Sequence, residues 1–281
     1  MPADLAIVTD STAYLPQDAV DRHGITVVPL SVAVGDEVLA DGVEITPKEL
    51  AEALRAKHRV TTSRPNPETF AAAYRGAAEA GARGVVSVHL SGELSGTCEA
   101  ARLAAAEAPI PVRVVDSRLV GMALGYSVLT AARSAADGLG LDEVAAAAVR
   151  RAAHTSGFFY VDTLEHLRRG GRIGAARALL GSALAVKPLL HLSGGRIEPL
   201  EKVRTASRAI ARLEEIAVER AGDRRVDLTV HHLAAEDRAE LLAERLRERI
   251  PGLCELYVGE VGAVIGAHVG TGLLAVVLSP R

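Results

Sequence analysis

Val88-His89-Leu90-Ser91-Gly92-Glu93-Leu94-Ser95-Gly96-Thr97 joins two stretches of opposite character. Residues 84–90 (GVVSVHL) are a short apolar, β-branched run that reads as a buried strand. Residues 97–108 are Ala-rich, with Leu103 as the largest apolar residue, and read as a helix. The turn between them is rich in Ser and Gly. A parallel strand that ends this way and enters a helix leaves backbone N–H groups aimed at one spot. With the positive end of the helix dipole, they favour an anion. In open α/β sheets, ligands lie at this edge, past the carboxyl ends of the strands. The plainer alternative is that Ser95 caps the helix. A cap and a ligand contact are compatible.

A chain of 281 residues holds two modest domains or one large one. Lys and Arg number 32 against 35 Asp and Glu, so no whole-protein charge draws it to nucleic acid or anionic membrane. Trp is absent and aromatic residues are few, which argues against a base-stacking platform. Cys98 and Cys254 stand far apart and outside any C-x-x-C pattern, so two small thiols in a reduced, cytoplasmic setting are the simplest reading. The start, MPADLAIVTD, has an acid ahead of a strand-like run and no signal-peptide pattern. Residues 261–280 imitate a membrane span, with no formal charge and two overlapping G-x-x-x-G matches at Gly262, Gly266 and Gly270. His268 in the middle and Gly270-Thr271-Gly272 argue against a span, and 273–278 (LLAVVL) has the length of a buried strand.

Residues 5–8 make a first strand, and Asp10-Ser11-Thr12 at its end caps the next helix or touches a ligand, capping being the default. Residues 27–34 (VVPLSVAV) are a second β-rich run. Thr46-Pro47-Lys48-Glu49 is a capping box with Pro at the first helical position. In Val60-Thr61-Thr62-Ser63-Arg64-Pro65-Asn66-Pro67 two prolines impose an extended path before a helix that runs to about Ala80. Hydroxyls just ahead of that helix suit an anion or an ordinary polar loop. Residues 112–115 are a strand ending at Asp116-Ser117. Residues 119–136 form a mostly apolar, buried helix, and 141–153 an Ala-rich one. This alternation of strand and helix predicts a parallel α/β domain.

With no repeat or linker to mark a join, the boundary falls near 154–157. That gives an N-terminal α/β domain over 1–156 and a C-terminal α+β domain with a mixed sheet over 157–281. In the second, 157–161 (GFFYV) opens as a strand and 175–186 is helical and apolar. Ser193-Gly194-Gly195-Arg196 signals a hairpin between 188–192 and 197–203. Thr205 caps a helix to about Val218, and strands at 226–230 and 255–258 flank a helix over 236–250.

Several ready-made chemistries do not fit. Gly92-Glu93-Leu94-Ser95-Gly96 lacks the glycine spacing of a nucleophile elbow, and no phosphate-binding Gly-rich loop follows a strand. His231 and His232 are adjacent on a strand and face opposite ways, so no zinc site is expected. What remains, all at turns, is Thr62, Ser95, Arg204 and His268, with the basic run Arg168-Arg169-Gly170-Gly171-Arg172.

These residues sit in motifs that resemble the DegV family of lipid-binding proteins. The likeness runs through Thr9-Asp10-Ser11-Thr12, Thr62-Ser63-Arg64-Pro65, Leu94-Ser95-Gly96-Thr97, Asp116-Ser117 and Val161-Asp162-Thr163-Leu164-Glu165. It continues through Arg169-Gly170-Gly171-Arg172-Ile173, Lys187-Pro188, Lys202-Val203-Arg204-Thr205 and Gly266-Ala267-His268-Val269-Gly270. Each tetrapeptide is weak alone; their shared order along the whole chain makes the resemblance specific. Gly92-Glu93 departs from the Ser-Gly common in the family, and an acid there changes the field at the pocket mouth.

The resemblance implies a two-domain α/β protein, not itself an enzyme, with a slot between its domains for one long-chain fatty acid. Its members include the binding subunit of bacterial fatty acid kinase. There a separate kinase phosphorylates the bound carboxyl group from ATP, and the acyl phosphate passes to phospholipid synthesis. Carried over by motif, Thr62 and Ser95 hydrogen-bond the carboxylate, while Arg204 and His268 lie near the head group and serve the phosphorylated form or the kinase. The implied ligand is a fatty acid of roughly C14–C18, its tail dominating affinity; no metal or cofactor is implied, and only transient membrane-surface contact is compatible. Apolar side chains on 119–136 and 175–186 line the tail slot or belong to the ordinary core. Two other readings stay open: a lipid-responsive interaction protein without a kinase partner, and an acyl hydrolase using Ser95 with His268 as base.

Overall fold

The computed structural model describes residues 4–63, 66–179 and 187–281. In chain order its strands and helices are β1 (Leu5–Asp10), α1 (Gln17–His23), β2 (Thr26–Val28), β3 (Ser31–Val34), β4 (Glu37–Ala40), α2 (Pro47–Arg55), β5 (Val60–Thr62), α3 (Pro67–Glu79), β6 (Gly84–His89) and α4 (Thr97–Ala106). Then follow β7 (Val112–Asp116), α5 (Met122–Ala136), α6 (Leu141–His154), β8 (Ser156–Tyr160), α7 (Glu165–Arg169), β9 (Lys187–Ser193), β10 (Arg196–Val203), α8 (Ala206–Ala221), β11 (Val226–His232), α9 (Glu236–Arg249), β12 (Leu253–Glu260), α10 (Ala263–Val269) and β13 (Leu274–Pro280). They form two compact units: Met1–Ser31 with Ser63–His154, and Val32–Thr62 with Thr155–Arg281.

The first unit is the parallel α/β fold expected. Its sheet runs β2-β1-β6-β7 with every pair parallel. β6 is buried along its whole length, as a central parallel strand must be. α3 and α4 cover part of the sheet through Phe70, Tyr74, Ala101 and Ala104 against Val8 and Val85. Ten of the fifteen residues of α5 are buried, which is why its sequence is apolar on all sides rather than along one stripe. β1 has β2 on one side and β6 on the other, so the winding reverses between β1 and β6. That is the place in such sheets where a crevice opens beyond the strand ends.

The second unit contains a six-stranded sheet, β10-β9-β8-β13-β11-β12, in which only β11 and β12 pair in parallel. The β9–β10 hairpin turns on Gly194 and Gly195 with φ of 55° and 88°, the left-handed pair that a two-residue turn requires. Phe158, Tyr160, Leu213, Leu228, Leu242 and Val276 are among the residues of its core.

Three expectations need correction. Residues 27–34 are not one strand. Pro29, which has no N–H to give a ladder, separates β2 in the parallel sheet from β3 in a small sheet of order β4-β3-β5. That small sheet belongs to the second unit, so the single boundary at 156/157 is replaced by crossings near 31, 62 and 154. Side-chain periodicity reports which face of a strand is buried, not which sheet it joins. Of the helix expected over 175–186, the described part is a 3-10 helix at Gly174–Leu179; residues 180–186 lie outside the described residues, as do Arg64 and Pro65.

The 261–280 stretch divides into α10, a Gly-Thr-Gly turn and β13, and no helix among the described residues is long and apolar enough to cross a membrane.

The excursion 32–62 is tied to α10. The capping box at Thr46 and Glu49 starts α2. Asp41 Oδ1 accepts a hydrogen bond from Ala263 N–H at 2.7 Å. Gly266 on α10 leaves space for Leu50 of α2, which a Cβ there would overlap. Gly266→Val should therefore destabilise the chain by about 1–3 kcal/mol in urea unfolding, the usual cost of overpacking. An unchanged midpoint would mean that α2 does not pack on this face.

Candidate functional site

Thr62 ends β5, opposite Val32 of β3. His268 lies in the last turn of α10. Although 206 residues apart in sequence, Thr62 Oγ1 and His268 Nε2 lie 2.9 Å apart. Both belong to the second unit, and the excursion is what brings Thr62 there.

The imidazole is seated by an absence. A Cβ at Gly170 would overlap Nδ1 of His268, and a Cβ at Gly270 would overlap the ring of His166. α7 and α10 thus meet through two reciprocal contacts, each a histidine ring laid over a glycine. Gly170 has an ordinary helical φ of −74°, so its glycine serves close approach rather than a left-handed turn. The left-handed position is its neighbour Gly171, with φ of 71°.

Nδ1 of His268 is buried and has no hydrogen-bond partner among the described residues. Burial holds the imidazole pKa down to about 4, and the nearby Arg172 guanidinium pushes the same way. The neutral ring has one hydrogen to place. On Nδ1 it would be an unpaired buried donor facing Gly170. On Nε2 it donates to Thr62 Oγ1. Unpaired N–H groups are the costlier orphans, so we assign the Nε2–H tautomer. Thr62 then accepts from His268, and its own hydroxyl hydrogen is available to an acceptor such as a carboxylate.

The basic run divides by role. Arg168 and Arg169 both pair with Glu165, and these bonds, that from Arg168 first, hold its carboxyl down to about 2. Arg172 is half-buried, donates through Nη1 to Gly170 O at 2.7 Å and is the cation beside His268. Arg204 is exposed, between the end of β10 and the Thr205 cap of α8.

Ser95 belongs to the first unit. Its Oγ lies 2.8 Å from Thr97 Oγ1 and accepts from Thr97 N–H at 3.3 Å. The cap position of α4 is Gly96, with no side-chain bond, so Ser95 serves the helix start from one residue further out. Of the four residues singled out in the sequence, Thr62 and His268 form a bonded pair. Ser95 stands on the other unit, and Arg172 rather than Arg204 is the cation next to the pair. The reasons for Gly170 and Gly270, and the part of His166, were not legible.

Other motif residues have structural partners: Lys187 Nζ donates to Asp162 O at 2.9 Å. No cluster of three or more His, Cys, Asp or Glu suited to a metal occurs among the described residues. Burial pushes the Cys98 thiol up to about 11, which leaves it a poor nucleophile.

The family model for DegV, described as "Uncharacterised protein, DegV family", matches residues 4–281. The chain belongs to the DegV family. A DegV domain-containing protein of Streptomyces coelicolor is 66% identical to it over the full length of both chains. Among solved structures, a DegV family protein from Thermus thermophilus, described for its fatty acid binding, matches with a TM-score of 0.93 at 38% identity, covering 99% of each chain. DegV of Bacillus subtilis, described as a fatty acid binding protein, matches with a TM-score of 0.91 at 33% identity, again over 99% of each chain.

The His268 environment has a consequence for this DegV protein's stability. In the folded chain His268 stays neutral down to about pH 4, whereas its ordinary value is 6.5. Between those values the unfolded chain binds the extra proton, so the stabilisation is complete above about 6.5 and is lost as the pH falls to about 4. His231, buried and also held at about 4, acts in the same window. Urea unfolding across this range should show stability falling with pH, and His268→Gln should flatten part of that slope. An identical slope in the variant would place the imidazole in water instead.

Proposed function

We propose that this chain binds one long-chain fatty acid, presents its carboxylate to a separate kinase, and then carries the acyl phosphate without catalysing the transfer itself. The observation that carries the binding part is its near-complete structural likeness, at 33–38% identity, to two DegV proteins described as binding fatty acids. The kinase step rests on the family resemblance and on the charges described below.

The chemistry suits the ligand. A tail of about 14 methylenes, at about 0.8 kcal/mol each, gains roughly 11 kcal/mol gross on burial. Lost motion and tail ordering offset several kcal/mol of that. A neutral hydroxyl bond adds only about 1 kcal/mol. On this reading the tail sets affinity, and the Thr62 and Ser95 hydroxyls orient the carboxylate. His268 acts on the ligand through Thr62, by taking up one of its lone pairs and turning its hydrogen outward. Phosphorylation adds about one to two negative charges and several acceptor oxygens. The half-buried Arg172 and the exposed Arg204 are the cations proposed to meet them, since a planar guanidinium bonds such a group in pairs.

Protein produced in a bacterial host should carry about one free acid of roughly C14–C18 per chain through purification, because a ligand held mainly by tail burial leaves slowly. Denaturing mass spectrometry checks this. A clean apo protein that also fails to take up palmitate or oleate would remove the reading.

Arg204→Ala should leave lipid content nearly unchanged while severely reducing acyl phosphate formation by the cognate kinase. Loss of lipid with a normal kinase step would instead make Arg204 a carboxylate clamp, and normal behaviour in both assays would make it a solvated surface charge.

A further inference from the structure

At the carboxyl ends of β1 and β6 the first unit buries four hydrogen-bonded side chains. Tyr74 Oη donates to Ser87 Oγ at 2.9 Å, Ser87 Oγ lies 2.6 Å from His89 Nε2, and His89 Nδ1 lies 3.0 Å from Asp10 Oδ2. Asp10, Tyr74, Ser87 and His89 are all 0% exposed. The order of acid, imidazole and hydroxyl is that of a hydrolytic triad. A hydroxyl with no exposed surface, already engaged by Tyr74 and His89, leaves no room for a substrate.

The other bonds of the carboxylate indicate a different use. Oδ2 also accepts from Leu90 N–H at 3.0 Å, and Oδ1 accepts from Thr12 N–H at 3.1 Å and Thr12 Oγ1 at 2.5 Å. Leu90 is the first residue past β6 and opens the turn that leads to Ser95. The sheet reverses its winding between β1 and β6, where α/β folds leave a crevice whose backbone N–H groups take an anionic ligand. Asp10 caps the 3-10 turn Ser11–Ala13 through Thr12 and also takes the Leu90 N–H, so one carboxylate joins the ends of β1 and β6.

With one hydrogen on the ring, the contacts fit a single donor chain, and Tyr74 Oη has a second acceptor in Ala101 O at 3.4 Å. His89 Nδ1–H donates to Asp10, His89 Nε2 accepts from Ser87, and Ser87 accepts from Tyr74. A ring held at both nitrogens has a fixed orientation. The backbone around it is fixed as well: His89 O accepts from Ser117 N–H at 3.1 Å and Ser117 Oγ at 2.7 Å. Gly92 N–H donates to Asp116 Oδ1 at 3.2 Å, and a Cβ at Gly92 would sit 2.8 Å from Asp116 Oδ2.

We infer that Asp10 is an internal anion filling the crevice between β1 and β6, and that His89 is the positioning residue that holds it, so that the turn bearing Ser95 is set in shape before any ligand arrives. The ligand in this statement rests on the fatty acid reading above; the placement of the turn does not.

The test uses the full-length chain, stripped of lipid, with palmitate and methyl palmitate as probes. The two share a tail and differ in the charge of the head, so the ratio of their affinities reports head recognition alone. Asp10→Asn and His89→Ala should each lower that ratio about tenfold, the worth of a hydrogen bond to a charged group, with methyl palmitate binding unchanged. His89→Asn, whose amide N–H replaces Nδ1–H toward Asp10, should keep most of the preference. A pair that only stabilises the fold would lower the melting temperature and leave the ratio alone. An unchanged ratio in folded Asp10→Asn overturns the inference, as does equal loss in His89→Asn and His89→Ala.

If the wild type binds neither probe, the fatty acid reading fails and amide exchange decides this one; the same measurement serves if the variants do not fold. Leu90 N–H in the wild type should exchange as slowly as the amides of β6, and exchange as fast as in an open loop would overturn the positioning role.

Discussion

A side chain at position 170 would displace the His268 ring, and the placement of that ring beside Thr62 depends on the glycine. The imidazole of His268 lies where a Cβ would be, which lets α7 and α10 approach and buries Nδ1 against main chain. Burial of that nitrogen makes a hydrogen on it costly, which places the ring hydrogen on Nε2 and turns Thr62 into a donor toward anything beyond it. The other end of the same short helix is held by Asp41, whose carboxylate takes the N–H of Ala263. Asp41 and Thr62 both come from the excursion 32–62, so this loop of chain leaves the first unit to build one hydroxyl and its support into the second.

The first unit treats charge in the opposite way. Asp10 is a carboxylate with no exposed surface, and it is surrounded by two backbone N–H groups, a hydroxyl and an imidazole. Burying a carboxylate without donors would cost many kcal/mol, and with the donors supplied by the backbone itself the cost is offset while the backbone is held in place. Two of the donors at the strand ends, Thr12 N–H and Leu90 N–H, are therefore engaged inside the fold. The neighbouring turn also presents side-chain hydroxyls, of which that of Ser95 is half-buried and, among the described residues, bonded to Thr97.

The elements were legible where local physics decides them. The 84–90 run, the capping box at Thr46, the Thr205 cap and the Gly194-Gly195 hairpin appear as read, because each depends on residues within a few positions of one another. The split at Pro29 was readable in principle, since Pro interrupts a ladder, yet an apolar run on both sides masked it. The assignment of 32–62 to the second unit had no local signal at all, because it rests on Leu50 meeting Gly266 and Asp41 meeting Ala263, contacts more than 200 residues apart in sequence. The candidate site shows the same division. Thr62, Ser95, Arg204 and His268 were picked out by their positions at turns and in motifs. The partner of Ser95, Thr97, is two residues away and local, whereas Gly170 and Arg172 meet His268 through tertiary packing.

A carboxylate that must later react is better held by neutral hydroxyls than by a buried arginine. A bidentate guanidinium stabilises the ionised acid and lowers its reactivity toward an incoming phosphoryl group, whereas a hydroxyl bond of about 1 kcal/mol orients it at little cost to reactivity. On the proposed reading, the tail already supplies enough affinity that the head needs none from charge. The cations then have a reason to stand back: Arg172 is turned onto the Gly170 carbonyl and Arg204 is exposed. Each adds most once the head carries the extra charge of a phosphoryl group, so the same arrangement that leaves the acid reactive favours holding the product. On the proposed reading, discrimination between the two forms comes from the arginines, and discrimination between lipids from the tail.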